Sequence, residues 1–178
     1  ATIATNAISL AIALALNAKI RARSFWRGVY FVPYVLAILV IGYVFQFFFS
    51  NSLPKILSGI PIFADNILTN PDWAWTAIVA LAVWQSCAFA IIIYLSGLQT
   101  ISASLYEAAA LEGASKWQVF RYVTWPGLRN TAILVMVVIT MQAFTLYPQI
   151  DVMTRGGPLD STQSLVFQAV QRGYGKQD

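Results

Sequence analysis

The side chains on which most enzymes depend are almost missing from this chain. It has no histidine and one cysteine, Cys87, inside an apolar run. Disulfide frameworks, Cys/His zinc sites and histidine general bases are therefore excluded within it, and a lone cysteine in such a run reads as a small packing residue. Asp65 and Asp72 stand apart, with no cluster of acids, histidines or cysteines around them. A nucleotide-binding G-x-x-x-x-G-K-[ST] loop is lacking too: Gly173-Tyr174-Gly175-Lys176 has neither the spacing nor a preceding strand, so the chain is not expected to hydrolyse ATP itself. No catalytic, cofactor-binding or metal-ligating set emerges. What remains are uncharged polar groups inside apolar runs. Gln85 and Ser86 lie one turn from Phe89, and Gln142 has Thr140 nearby. Amides beside aromatic rings suit the hydroxyls and faces of sugars. The same residues would equally serve interhelical hydrogen bonds, which contribute roughly 0.6 kcal/mol per pair in a membrane.

The elements that would carry these groups are membrane spans. Of 178 residues, 58% are hydrophobic and 10% charged, against about 25% charged in soluble domains. The apolar residues fall in long runs, and about 18 or more suffice to cross a hydrocarbon core. Backbone groups cannot be left unpaired there, and the runs lack the alternation of a β-barrel, so helices are expected. Four segments are predicted: Ala1 to Ala18, Val29 to Phe49, Trp73 to Leu98 and Leu128 to Tyr147. The first is rich in Ala, Ser and Thr, which suits close packing against protein. It begins without Met or a basic region, so it reads as the interior of a larger protein rather than a signal peptide.

Charge orders the loops. Lys19, Arg21, Arg23 and Arg27 crowd the first loop, and Lys116, Arg121 and Arg129 mark the third. The second sets Lys55 against Asp65 and Asp72, and the fourth has Asp151, Arg155 and Asp160. An excess of Lys and Arg marks the cytoplasmic side. Loops one and three are thus expected inside, and loops two and four outside. Arg172 and Lys176 fit an outside tail poorly. The net charge of +4 is explained by this topology without nucleic acid.

The third loop is the most informative stretch. Glu107 to Glu112 consists of good helix formers, and Gly113 is a natural stop. A second helical turn follows, with Trp117, Phe120 and Val123 (or Val119) on one face, and Pro126 is expected to punctuate entry into the fourth span. The run Glu107-Ala108-Ala109, Gly113-Ala114, Phe120 and Pro126 resembles the EAA motif of ABC importer permeases. Gly97-Leu98-Gln99, Leu105-Tyr106, Phe31-Val32-Pro33 and Thr154-Arg155-Gly156-Gly157-Pro158 with Ser161-Thr162 are similar to the carbohydrate branch, the maltose and glycerol-3-phosphate permeases. Glu112, Ile101-Ser102 and Trp125-Pro126 depart from that pattern, which usually has Asp, Ile-Pro and Leu-Pro.

The resemblance implies an all-α integral membrane protein of the type I ABC importer permease fold, one transmembrane domain over residues 1–178. About four spans of a six-span core would be present, with the first and last missing. It implies that residues 105–126 form a coupling segment docked on a cytoplasmic ATPase. Glu107 would be its polar anchor, Ala108, Ala109 and Ala114 would allow close approach, and Gly113 would set the bend. It further implies a second homologous permease, ATP-binding cassette subunits carrying ATP and Mg, an extracytoplasmic solute-binding protein and a prokaryotic inner membrane. The cargo would be a sugar or related polar solute moved by alternating access past Gln85, Ser86, Phe89 and Gln142. The rival readings are a stand-alone secondary transporter or channel, a membrane-bound enzyme, and a purely structural subunit. The first would be expected to show intramembrane charges or broken helices, and no span has a charged residue near its centre.

Overall fold

The computed structural model describes residues 2–17, 23–57 and 66–174, and every regular element among them is helical. The chain divides into two compact units, residues 1–32 with 86–140, and residues 33–85 with 141–178. Two long helices contribute to both: α5 (Ala74–Thr100) and α8 (Trp125–Phe144).

In the first unit, α1 (Thr2–Asn17) packs on α5 and α8. Its buried residues Thr5, Ser9, Ala13 and Leu16 recur at helical spacing, so small residues do face protein. Ala13 and Leu16 join Tyr94, Leu95 and Leu98 of α5 and Leu128, Val135 and Ile139 of α8 in one core. The Tyr94 hydroxyl donates to Asn6 Oδ1 at 2.7 Å in this core. A buried polar pair of this kind fixes the rotation of α1 on α5, because any other setting leaves both groups unmatched. The unit also holds most of α2 (Arg23–Val35) and two short helices described below.

The second unit contains α3 (Ile38–Phe47), a π-helical turn (Phe48–Ser52), α4 (Leu53–Ile56) and a 3-10 turn (Ile67–Thr69). Its core joins Ile41, Leu68, Ile78, Leu81, Ile150, Met153 and Phe167. The tail, for which no secondary structure is predicted, forms two helices, α9 (Pro148–Met153) and α10 (Leu165–Tyr174). A Cβ on Gly42 of α3 would lie 2.9 Å from Val152 Cγ1, so the missing side chain is what lets α9 approach. Gln46 Nε2 donates to the Met153 carbonyl at 3.4 Å and Trp75 Nε1 to the Ser161 carbonyl at 2.7 Å.

Two of the four expected segments are single helices long and apolar enough to cross a membrane, Ala74–Thr100 and Lys116–Phe144. At about 1.5 Å per residue the 27 residues of α5 reach about 40 Å. The second expected span is not continuous. It breaks at Leu36–Ala37, where Ala37 is extended at φ −59°, ψ 133°. Pro33 inside α2 removes a helical hydrogen bond just upstream and weakens this stretch. The pieces Gly28–Val35 and Ile38–Ile56 together have the length and hydropathy of a span, but they are bent by 102° at the break. The first segment is a 16-residue apolar helix, about 24 Å long. Leu39, Val40, Tyr43 and Val44 of α3 and Ile133, Leu134, Met136 and Val137 of α8 are exposed. In water such faces would be a liability; in hydrocarbon they are the ordinary surface. The residues Asp65, Lys19, Arg21, Ala1, Ala18 and Lys176 lie outside the described residues.

Candidate functional site

The segment between α5 and α8 is built from two short helices, α6 (Ala103–Leu111) and α7 (Lys116–Val119). Each begins on a serine cap. Ser102 accepts from the Ser104 N–H. Ser115 and Gln118 form a reciprocal capping box, Ser115 N–H to Gln118 Oε1 at 2.7 Å and Gln118 N–H to Ser115 Oγ at 3.4 Å. The Ser-x-x-Gln spacing announces this box in the sequence, although the expected second turn rests on the spacing of Trp117, Phe120 and Val123 and not on its cap.

Between the helices the chain reverses through a Schellman cap. Gly113 adopts φ +68°. Its N–H donates to the Ala110 carbonyl at 3.1 Å, and the Ala114 N–H to the Ala109 carbonyl at 3.0 Å. These two bonds satisfy carbonyls that a helix end otherwise leaves open. The left-handed backbone is what demands glycine, since a Cβ there would meet nothing within 4 Å.

Pro126 does not punctuate the entry to the fourth span as expected. One helix runs from Lys116 to Phe144, and a π-helical turn (Phe120–Thr124) lies just upstream of the proline. The Trp125 N–H reaches back to the Phe120 carbonyl. A proline within a helix clashes with the preceding turn and leaves a carbonyl unpaired. The wider π turn gives the ring room and keeps the axis continuous.

Three contacts bind this segment to its supports. A Cβ on Gly97 would lie 2.6 Å from Thr131 Oγ1. One on Gly127 would lie 2.8 Å from Ile101 Cδ1, so α5 and α8 meet at backbone distance where the segment leaves and rejoins them. The Tyr106 hydroxyl meets Thr124 Oγ1 at 3.2 Å, tying α6 to the π turn. Tyr106, Thr124 and Gly127 had no positioning role in the sequence reading, because contacts across a reversal leave no periodic trace.

Glu107 and Ala108 are exposed, as is Gly113, while Ala109 and Ala114 are half-buried. Glu107 has no ion pair among the described residues. The same segment exposes large apolar side chains: Leu111, Trp117 and Tyr122 are 90, 69 and 76% exposed. Trp117 stacks on Phe120 with ring centroids 5.6 Å apart, and Phe120 meets Trp125 at 6.4 Å. The segment thus exposes large apolar and aromatic side chains beside two carboxylates, Glu107 and Glu112, and the basic Lys116 and Arg121.

The other polar residues singled out are placed without being gathered into one site. Gln85, Ser86 and Phe89 lie on α5 and Gln142 on α8, all half-buried. The Thr154–Pro158 motif is a compact loop closed on itself. Thr162, fully buried, donates to the Gly157 carbonyl at 2.7 Å, and its hydroxyl meets Thr154 Oγ1 at 2.8 Å. Gly156 sits at φ +86°, and a Cβ there would strike the Phe167 ring at 2.8 Å. No group of acids, histidines and cysteines able to hold a metal occurs among the described residues.

This arrangement has known relatives. A family model described as the binding-protein-dependent transport system inner membrane component matches residues 7–174. The chain is 36% identical over 176 residues to the multiple sugar-binding transport system permease protein MsmF of Streptococcus mutans, covering 94% of this chain and 61% of that protein. It is 31% identical over 171 residues to the sn-glycerol-3-phosphate transport system permease protein UgpA of Agrobacterium fabrum, covering 94% and 58%. A chain of a bacterial ABC transporter involved in import of the acidic polysaccharide alginate superposes with a TM-score of 0.75 at 21% identity, over 99% of this chain and 67% of that one. The chain spans about three-fifths of the length of these curated relatives. A match across nearly all its residues, on an all-helical fold with apolar spans, makes the chain a member of the binding-protein-dependent transport-system inner membrane components, the membrane-embedded permeases of ABC importers.

Proposed function

We propose that the full-length protein is one permease of an ATP-driven importer for a sugar or related polar solute. In this reading α6, the Gly113 reversal and α7 form the coupling segment that docks on a cytoplasmic ATPase. ATP and Mg belong to that separate subunit. A second homologous permease completes the path, and an extracytoplasmic binding protein delivers the solute. Closure of the ATPases pushes the segment and drives alternating access, with Gln85, Ser86, Phe89 and Gln142 lining the route. The relatives named above handle several sugars, glycerol 3-phosphate and alginate according to their descriptions, which supports a polyhydroxylated cargo.

The observation that carries the reading is the rigid helix–reversal–helix with exposed Glu107 and Ala108, anchored at both ends. Glu107 would accept a charge-assisted hydrogen bond from a basic group on the ATPase. The test is co-purification of the full-length protein with the ATPase encoded beside it, native against Glu107→Arg. The native protein should retain the ATPase and the variant should release it with membrane insertion unchanged. If the folded native protein binds no ATPase under conditions that preserve known importers, the coupling reading fails and a stand-alone transporter replaces it.

A further inference from the structure

The second unit contains a cavity to which the proposed route through α5 and α8 assigns no role. It is an open pocket of about 310 Å³ between the C-terminal end of α3, the 3-10 turn and the Thr154–Pro158 loop. That volume is at the lower end of the roughly 300–1,000 Å³ typical of small-ligand sites, with room for one sugar ring. Five uncharged polar residues line it, Gln46, Ser50, Asn66, Thr69 and Thr154, and Met153 with its neighbours supplies an apolar wall. No charged side chain is among the described residues that line it.

The hydrogen-bonding capacity of these groups is only partly used within the chain. Gln46 spends one N–H on the Met153 carbonyl, which leaves its amide oxygen and a second N–H. Asn66 Oδ1 accepts from the Leu68 N–H at 3.0 Å, which leaves its NH2 group. Thr69 donates to the Asn66 carbonyl at 2.7 Å and can still accept. The Ser50 hydroxyl has no partner among the described residues. Two amides and two hydroxyls with spare donors and acceptors match the mixed character of vicinal hydroxyls, each of which both donates and accepts. Without a Lys or Arg among the described lining residues, nothing there neutralises a phosphate.

The geometry points to a solute site at the mouth of the permease, selective for a neutral hydroxyl-rich ring over a phosphorylated one. The charge asymmetry of the loops places this mouth outside, since Ser50, Asn66 and Thr154 belong to loops two and four. The site rests on the importer reading and refines it: cargo released from a binding protein would first meet these amides, before the residues of α5 and α8.

Substituted-cysteine protection tests the site apart from the importer reading. The full-length importer, with Cys87→Ser and Ser50→Cys, is placed in right-side-out vesicles and treated with a membrane-impermeant maleimide. Uptake of glucose, maltose, trehalose and glycerol 3-phosphate is measured in parallel on the Cys87→Ser importer that keeps Ser50. The expected result is labelling at position 50, slowed at least threefold by a transported neutral sugar and unchanged by glycerol 3-phosphate. Asn66→Asp, which keeps the acceptor for the Leu68 N–H but removes the donor, should abolish the protection. Uptake of a neutral sugar without any protection overturns the site and leaves the importer standing. Equal protection by glycerol 3-phosphate overturns the neutral selectivity. Absence of both uptake and protection removes the site and the sugar-importer reading together.

Discussion

Replacing Gly97 by alanine tests whether backbone contact between α5 and α8 is what holds the coupling segment. The new Cβ would sit 2.6 Å from Thr131 Oγ1, 2.9 Å from Thr131 Cγ2 and 3.1 Å from Leu128 Cδ2. Carbon atoms in ordinary contact lie about 3.5–4.0 Å apart, so something must yield by roughly 1 Å. Thr131 is β-branched and cannot swing its two branches clear at once, which leaves separation of the helices. Overpacking of this kind costs about 1–3 kcal/mol. Alanine is intrinsically better than glycine in a helix by about 0.5–1 kcal/mol, so the net loss is about 0.5–2 kcal/mol. Thr131→Ala deletes the two closest atoms. The double variant should therefore be more stable than Gly97→Ala alone, with a coupling energy of about 1–2 kcal/mol. Midpoints of heat-induced aggregation for the detergent-solubilised full-length protein, at one heating rate, report the order of the variants. If Gly97→Ala matches or exceeds the native midpoint, or if Thr131→Ala adds its effect independently, the close approach is not under constraint and the positioning argument is wrong.

Three further outcomes follow from local geometry. Gly113→Ala places an L-residue at φ +68° with open space around it; the backbone penalty is about 1–2 kcal/mol, and Gly113→Asn should lose less. Amide exchange at Gly113 and Ala114 should accelerate about tenfold in the alanine variant while α8 is unchanged. Tyr106→Phe removes the bond to Thr124, worth about 0.5–1.5 kcal/mol, and should speed exchange in α6 without altering membrane insertion. Thr162→Val leaves the Gly157 carbonyl and the Thr154 hydroxyl without their buried partner, costing about 1–3 kcal/mol. Thr162→Ser should recover most of that loss in the midpoint of thermal aggregation.

Local chemistry made part of this legible beforehand. The long helix Ala74–Thr100 follows from an unbroken apolar run, and the end of α6 from Gly113, because each is decided within a few residues. The break at Leu36–Ala37 was hidden, since hydropathy is continuous there and only Pro33 hinted at weakness. α9 and α10 were hidden for a different reason. Their buried residues Ile150, Met153 and Phe167 find partners in Ile41, Leu68 and Ile78, far away in sequence, and a short amphipathic stretch earns its structure only from such partners. The cavity beside Gln46 is less legible still, because its walls come from three separated segments that only the fold assembles.

The continuity of the helix through Pro126 bears most directly on how a push could travel. A hinge at the proline would let α7 swivel and dissipate motion before it reached the span. Instead the π turn takes up the ring, and Lys116 to Phe144 form one rod. Thr124, at the end of the wide turn, is buried and bonded to Tyr106, which links α6 to that rod. Gly127 against Ile101 and Gly97 against Thr131 then pass the displacement sideways into α5 within the same unit. Packed contacts at this distance resist gradual deformation and favour movement as a block. In the proposed importer, load applied at Glu107 would thus tilt α5 and α8 together, and the segment would act as a handle on the unit rather than as a loose tether.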